Sequence, residues 1–267
     1  MKKILYTVLL LIFAAVFLFS GYQLLTYFLD SREQSELYGD LASIVEKAKE
    51  NSPAPMKSGK EDPSDTDEPD AATGEPTVLP EYEELYMINS DMVGWLKIED
   101  TNINYPVMQT PESVDYYLHR NFFKQDNSCG CLYAREQCDI NAPSDNITIY
   151  GHHMKDGSML ADLSKYNNQE FYETHSEVTF DTLYERHTYK IFAVFKTSAS
   201  VSHGFRYHQF VDAADQEEFD EFIATCKSLA FYDTGITPEY GDKIICLSTC
   251  EYTQANGRLV VAAVRID

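Results

Sequence analysis

Positive charge is scarce in this sequence: 21 Lys and Arg stand against 43 Asp and Glu, a formal net charge of −22. A surface of that sign repels phosphate backbones, which argues against nucleic acid as a partner. Glycine (12 residues), proline (10) and tryptophan (1) are few, so a collagen-like or wholly low-complexity chain is excluded. No internal repeat is visible, which sets solenoids and propellers aside. What is plentiful is apolar: 44% of 267 residues, enough to bury a real core in one or two domains. Neither the apolar residues nor the charges are evenly spread.

Lys2 and Lys3 precede an almost unbroken apolar stretch from Ile4 to Phe19, continued less strongly from Gly21 to Leu29. Such a run is long enough to cross a hydrocarbon core of about 30 Å. A cleaved signal peptide shares the basic start and apolar run, but it carries a shorter apolar region and a small-residue cleavage site, and no clear Ala-x-Ala follows here. Residues 1–29 therefore read as a membrane anchor. Lysines before it and Asp30, Glu33 and Glu36 after it place the N-terminus inside, with the remainder of the chain outside the cell.

Ser31 and Gln34 resemble a capping box, and Leu37, Leu41, Ile44 and Val45 follow at helical spacing, which predicts a separate juxtamembrane helix over 30–50. Residues 51–78 change character, with five prolines, many Ser, Asp and Glu, and almost no large apolar side chain. That composition predicts a flexible, solvated linker. A folded domain is then expected over 79–267.

Within it, seven short segments rich in Ile, Val, Tyr and Phe read as strands: Val93–Ile98, Ile103–Met108, Ile147–Tyr150, Val178–Asp181, Tyr189–Lys196, Lys243–Thr249 and Leu259–Ile266. Phe219, Phe222, Ile223, Cys226 and Leu229 recur at helical spacing and mark a helix over Asp212–Leu229, its first turns acidic as the helix dipole favours. A shorter helix is expected over Ser158–Leu163. The pattern is mainly β, a barrel or sandwich with helical insertions, and not alternating βαβ.

Six cysteines occur. A domain of this size needs no disulfide staples, and Cys129-x-Cys131 with Cys138 lacks the spacing and the second pair of a zinc site, which leaves a structural disulfide among these three as the open alternative. Cys226 lies on the apolar stripe of its helix. Cys246, Ser248 and Cys250 share one face of a strand by the period of two. Cys250 differs in ending an apolar run in the polar Ser248-Thr249-Cys250, where a thiol can face a cleft. A reactive thiol also needs a base or cation and donors for a developing oxyanion. Tyr150-Gly151-His152-His153 supplies histidine at the end of another strand, and Arg258 opens the strand that follows the Cys250 loop.

Together these residues resemble the sortase family. Leu247-Ser248-Thr249-Cys250 is similar to the sortase T-L-x-T-C signature, with Cys246 in place of the first Thr. Arg258 falls eight residues after Cys250, where sortases carry an essential arginine, and Tyr150-Gly151-His152 is similar to the Gly-His motif. Asn104-Tyr105-Pro106-Val107 and Tyr116-Tyr117-Leu118 look like the early strand and helix of the family. Gly151-His152-His153-Met154-Lys155-Asp156-Gly157-Ser158-Met159 and the helix before the penultimate strand look most like class B; the lid motif and second membrane segment of class C are not found in these residues.

The resemblance implies an eight-stranded β-barrel and a cofactor-free, metal-free cysteine transpeptidase of a Gram-positive surface. Cys250 would be the nucleophile, His152 the acid and base, and Arg258 the substrate clamp and oxyanion donor, with Ser248 and Thr249 as candidate substrate-binding residues. The partners implied are surface proteins bearing a C-terminal sorting motif, often Asn-Pro-x-Thr-Asn-like in class B, and a peptidoglycan amine as acceptor. His153 is the rival of His152; the motif selects the first, and extended backbone turns the two rings apart. Two other classes share these residues: a tethered cysteine hydrolase, and a binding module in which Cys250 is structural.

Overall fold

The computed structural model describes residues 2–51, 77–200, 204–253 and 256–267. Eight strands close a barrel in the order β1-β2-β3-β4-β7-β8-β6-β5. They are β1 (Met92–Lys97), β2 (Asn104–Met108), β3 (Leu132–Ala134), β4 (Asn146–Tyr150), β5 (Glu177–Thr182), β6 (Thr188–Ser198), β7 (Ile244–Glu251) and β8 (Gly257–Arg265). Most pairs are antiparallel, but β2–β3 and β4–β7 are parallel. Closure leaves no free sheet edge, so every strand finds two neighbours.

Alternation along the strands builds two apolar layers. Ile245 and Leu247 of β7 join Val261 and Ala263 of β8 and Ile147 and Ile149 of β4 in the barrel interior. Ile244 and Cys246 point the other way, into a second cluster beneath helix α4 (Gln216–Leu229), with Phe219, Phe222, Ile223 and Cys226. α4 starts four residues later than the sequence pattern suggests because Asp215 is its N-cap: its side chain accepts from the Glu218 amide at 3.0 Å.

Seven of the eight strands lie where the hydrophobic pattern places them. β3, three residues long, gave no periodic signal. Helices α2 (Pro80–Ile88) and α3 (Gln169–Thr174) were also unforeseen, and the helix expected at Ser158–Leu163 is a 3-10 segment displaced to Ala161–Asn167.

The N-terminal helix α1 corrects the capping-box reading. It runs unbroken over Lys2–Asn51, 50 residues and about 75 Å. Ser31 lies in its interior and caps nothing; its hydroxyl instead donates to Asp156 Oδ2. The first half is apolar and exposed all round, the one helix among the described residues long and apolar enough to cross a membrane. The second half lays Tyr38, Leu41 and Val45, each at most 4% exposed, against the barrel core. The expected linker falls almost wholly on residues 52–76, outside the described residues.

Candidate active site

The parallel β4–β7 pair brings two distant parts of the sequence to one rim. Tyr150 sits opposite Ser248, the Gly151 amide donates to the Ser248 carbonyl at 3.1 Å, and the Thr249 hydroxyl donates to the Gly151 carbonyl at 2.8 Å. Beyond these contacts the chains deliver His152 from β4 and Cys250 from β7. Gly151 is needed here for space: a Cβ would lie 2.4 Å from Leu132 Cδ2 and 2.7 Å from Leu160 Cγ. On the other side of β7, the antiparallel register with β8 sets Cys250 directly opposite Arg258. Cys250 is a free thiol, half-buried.

The imidazole of His152 is held at one nitrogen. Nε2 lies 2.8 Å from the Leu118 carbonyl. A carbonyl only accepts, so Nε2 carries the proton and Nδ1 is left as the acceptor of the neutral ring. Partial burial pushes the pKa of His152 below its ordinary value, and the nearby His119 and Arg258 push in the same direction, against the Leu118 hydrogen bond. His119 stacks on the His152 ring with centroids 5.7 Å apart. The neutral form is therefore favoured at pH 7, ready to accept a proton at Nδ1.

His153 takes a different course. It bridges to Met159, its ring meets Tyr252 edge-on at 5.5 Å, and its carbonyl accepts from the Tyr252 hydroxyl at 3.1 Å. Of the two histidines, His152 is the one stacked with His119, and Arg258 is near enough to disfavour its charged form.

With this rim in view, a Sortase domain model matches residues 96–266, which includes all three residues. The chain is 30% identical to Sortase B of Listeria monocytogenes over 257 residues, 94% of this chain and 92% of the relative. The chain belongs to the sortase family. Among solved structures it is similar to sortase B from Bacillus anthracis in complex with AAEK1 (TM-score 0.72, 31% identity, 90% of this chain and 99% of that one). It is also similar to a Staphylococcus aureus sortase B–substrate complex (TM-score 0.73, 25% identity, 90% and 99%). The barrel is thus a class B sortase barrel, and sortases are cysteine transpeptidases.

In this sortase, Ser248 and Thr249, expected from sequence as substrate-binding residues, are both buried. They are 1% and 2% exposed. Ser248 Oγ lies 2.5 Å from the Tyr207 hydroxyl, and Thr249 Oγ1 is spent on Gly151. Both hydroxyls brace the strand end that presents Cys250. Because side chains alternate, the polar residues before a strand-end cysteine were as easily internal props as cleft lining.

Sequence reasoning missed two tyrosines around the rim, Tyr207 and Tyr133. Tyr207 sits near both Cys250 and Arg258, and burial pushes its pKa up to about 12. Tyr133 donates to Asp115 at 2.7 Å and packs on Tyr150 with centroids 5.3 Å apart. They come from the short β3 and a 3-10 turn, so no periodicity flagged them. Among the described residues no group of three or more His, Cys, Asp or Glu side chains is arranged to hold a metal ion.

Proposed function

We propose that Cys250, His152 and Arg258 carry the transpeptidation chemistry of this sortase. The observation that supports this reading most is the convergence on one rim of a half-buried thiol, a histidine with Nδ1 left as acceptor, and an arginine opposite the thiol in register. Cys250 Sγ attacks the carbonyl carbon of the Thr in a C-terminal sorting motif while its proton passes to His152 Nδ1. Arg258 stabilises the oxyanion with its planar fork of donors. His152 returns the proton to the departing amine, the C–N bond breaks and a thioacyl-enzyme remains. In the second half, an amine of the peptidoglycan attacks the thioester, His152 takes the amine proton, and the thiol is restored.

Residues 79–267 hold this chemistry, and α1 ties it to the membrane, with the N-terminus inside and the barrel outside the cell. Lysines before the apolar half of α1 and acidic residues after it support that orientation.

The test uses the purified full chain with an Asn-Pro-x-Thr-Asn-like peptide, with and without an amine acceptor, read by mass spectrometry. The expected result is an acyl adduct on Cys250 and a product joined to the acceptor. Cleavage indifferent to amine would make the protein a hydrolase, and no adduct under any condition would make it a binding module.

A further inference from the structure

The carbonyl that holds His152 is itself held, and the last support comes from α1. Leu118 belongs to the 3-10 turn Tyr116–His119, which lies against the loop before β3. The Cys131 amide donates to the Tyr117 carbonyl at 3.0 Å. Gly130, with φ +61°, approaches so closely that a Cβ there would lie 2.5 Å from the Leu118 oxygen and 2.6 Å from the Tyr117 oxygen. Residues 130–131 therefore pack directly against the backbone that carries the Leu118 carbonyl, the partner of His152 Nε2, and are hydrogen-bonded to the residue before it.

Residues 130–131 are pinned from below by one side chain. Tyr38, 4% exposed, donates its hydroxyl to the Gly130 carbonyl at 2.7 Å. Its single proton being used there, the Cys131 thiol 3.0 Å away donates to the Tyr38 oxygen. Burial pushes the Tyr38 phenol well above its ordinary range and the Cys131 thiol to about 12, so both stay protonated and the pair keeps its hydrogens at neutral pH. The ring is seated edge-on against Tyr105 of β2 with centroids 5.4 Å apart.

We propose that Tyr38 is a positioning residue for His152, so that the helix whose first half is apolar enough to cross a membrane completes the active site with its second half. The path is Tyr38 hydroxyl, Gly130 carbonyl, the close Gly130–Leu118 backbone contact, Leu118 carbonyl, His152 Nε2. Tyr38 touches neither substrate nor reacting atoms. It fixes which nitrogen of His152 faces the thiol and where that nitrogen sits, and small misplacements of a catalytic group are costly in rate. The proposal rests on the assignment of His152 as acid and base.

Tyr38→Phe in the detergent-solubilised full chain tests it, since it keeps the ring and removes only the hydroxyl. The expected result is a loss of kcat on the order of tenfold with KM for the sorting peptide unchanged. In 15N-histidine spectra the Nε2–H signature of His152, identified by its absence in His152→Gln, should weaken toward a tautomer mixture. Leu41→Ala is the control: it loosens the same helix on the same core but lies off the path, so it should lower Tm and leave kcat within about twofold when assayed well below Tm. Normal kcat and an unchanged tautomer in Tyr38→Phe overturn the proposal, as does an equal loss of kcat in Leu41→Ala, which would reduce Tyr38 to a general stabiliser. If His152→Gln itself turns over normally, the assignment of His152 fails, and that result is separable from any effect at Tyr38.

Discussion

Cys246 and Cys250 are the same residue on the same face of the same strand, four positions apart, yet their chemistry differs. Cys246 is fully buried in the layer beneath α4, between Thr148 of β4 and Ala262 of β8. Burial pushes its thiol far above the ordinary range, so it stays protonated and inert. Cys250 emerges past the end of that layer, half-buried, with Arg258 as its cross-strand neighbour. The strand places both; the covering helix decides which one is buried, and the one left uncovered is the proposed nucleophile. Residue type and strand phase are thus shared by the two cysteines, and the edge of the second layer separates them.

The largest effect should come from exchanging the two in turn. Cys250→Ala is expected to abolish turnover and the acyl adduct detected by intact mass, whereas Cys246→Ala should keep kcat near normal and lose about 1 kcal/mol of stability for the missing sulfur contacts. Turnover surviving in the Cys250 variant would break the comparison. The histidines repeat it one strand away: His152→Ala should lose on the order of 10²–10⁴ in kcat/KM, and His153→Ala only a few-fold. The reverse order would move the acid–base role to His153.

Arg258 separates charge from geometry. Lysine keeps the positive charge but not the paired donors, so Arg258→Lys should fold normally and lose on the order of a hundredfold in kcat/KM, with Arg258→Ala worse. Near-normal kinetics of the Lys variant would leave the oxyanion without an assigned donor.

The smallest effect concerns pH. The folded pKa of His152 is lowered below the unfolded value of about 6.5. Above that pH both states are neutral and the residue adds nothing; below it the unfolded chain binds more protons, so stability falls with acidification. The full-length protein should therefore lose slightly more Tm between pH 7.5 and 5.5 than its His152→Gln variant. An identical loss in both would remove the buried, neutral character assigned to His152.

Much of this was legible because periodicity survives without the fold. Seven strands, α4 and the apolar half of α1 announce themselves by runs of β-branched and aromatic residues or by spacing, and Cys250, His152 and Arg258 stand at the ends of three of those strands. β3 was not legible, since three residues make no pattern, and neither were Tyr133 on it nor Tyr207 in a turn. The boundary at Ser31 was misread because Ser followed three residues later by Gln looks the same at a helix start and in its interior; only continuity of backbone hydrogen bonding distinguishes them.

The sequence by itself determined the class of structure, the apolar span, and the residue types and order of the proposed catalytic set, because these depend on local spacing and intrinsic chemistry. Tertiary structure alone decided which cysteine of β7 escapes burial, which histidine stacks on His119, that Ser248 and Thr249 are both buried, and that Tyr38 reaches Gly130 from 92 positions away. Those outcomes depend on register between strands and on where one layer ends over another, and both are set by packing between segments that carry no record of each other in their own periodicity.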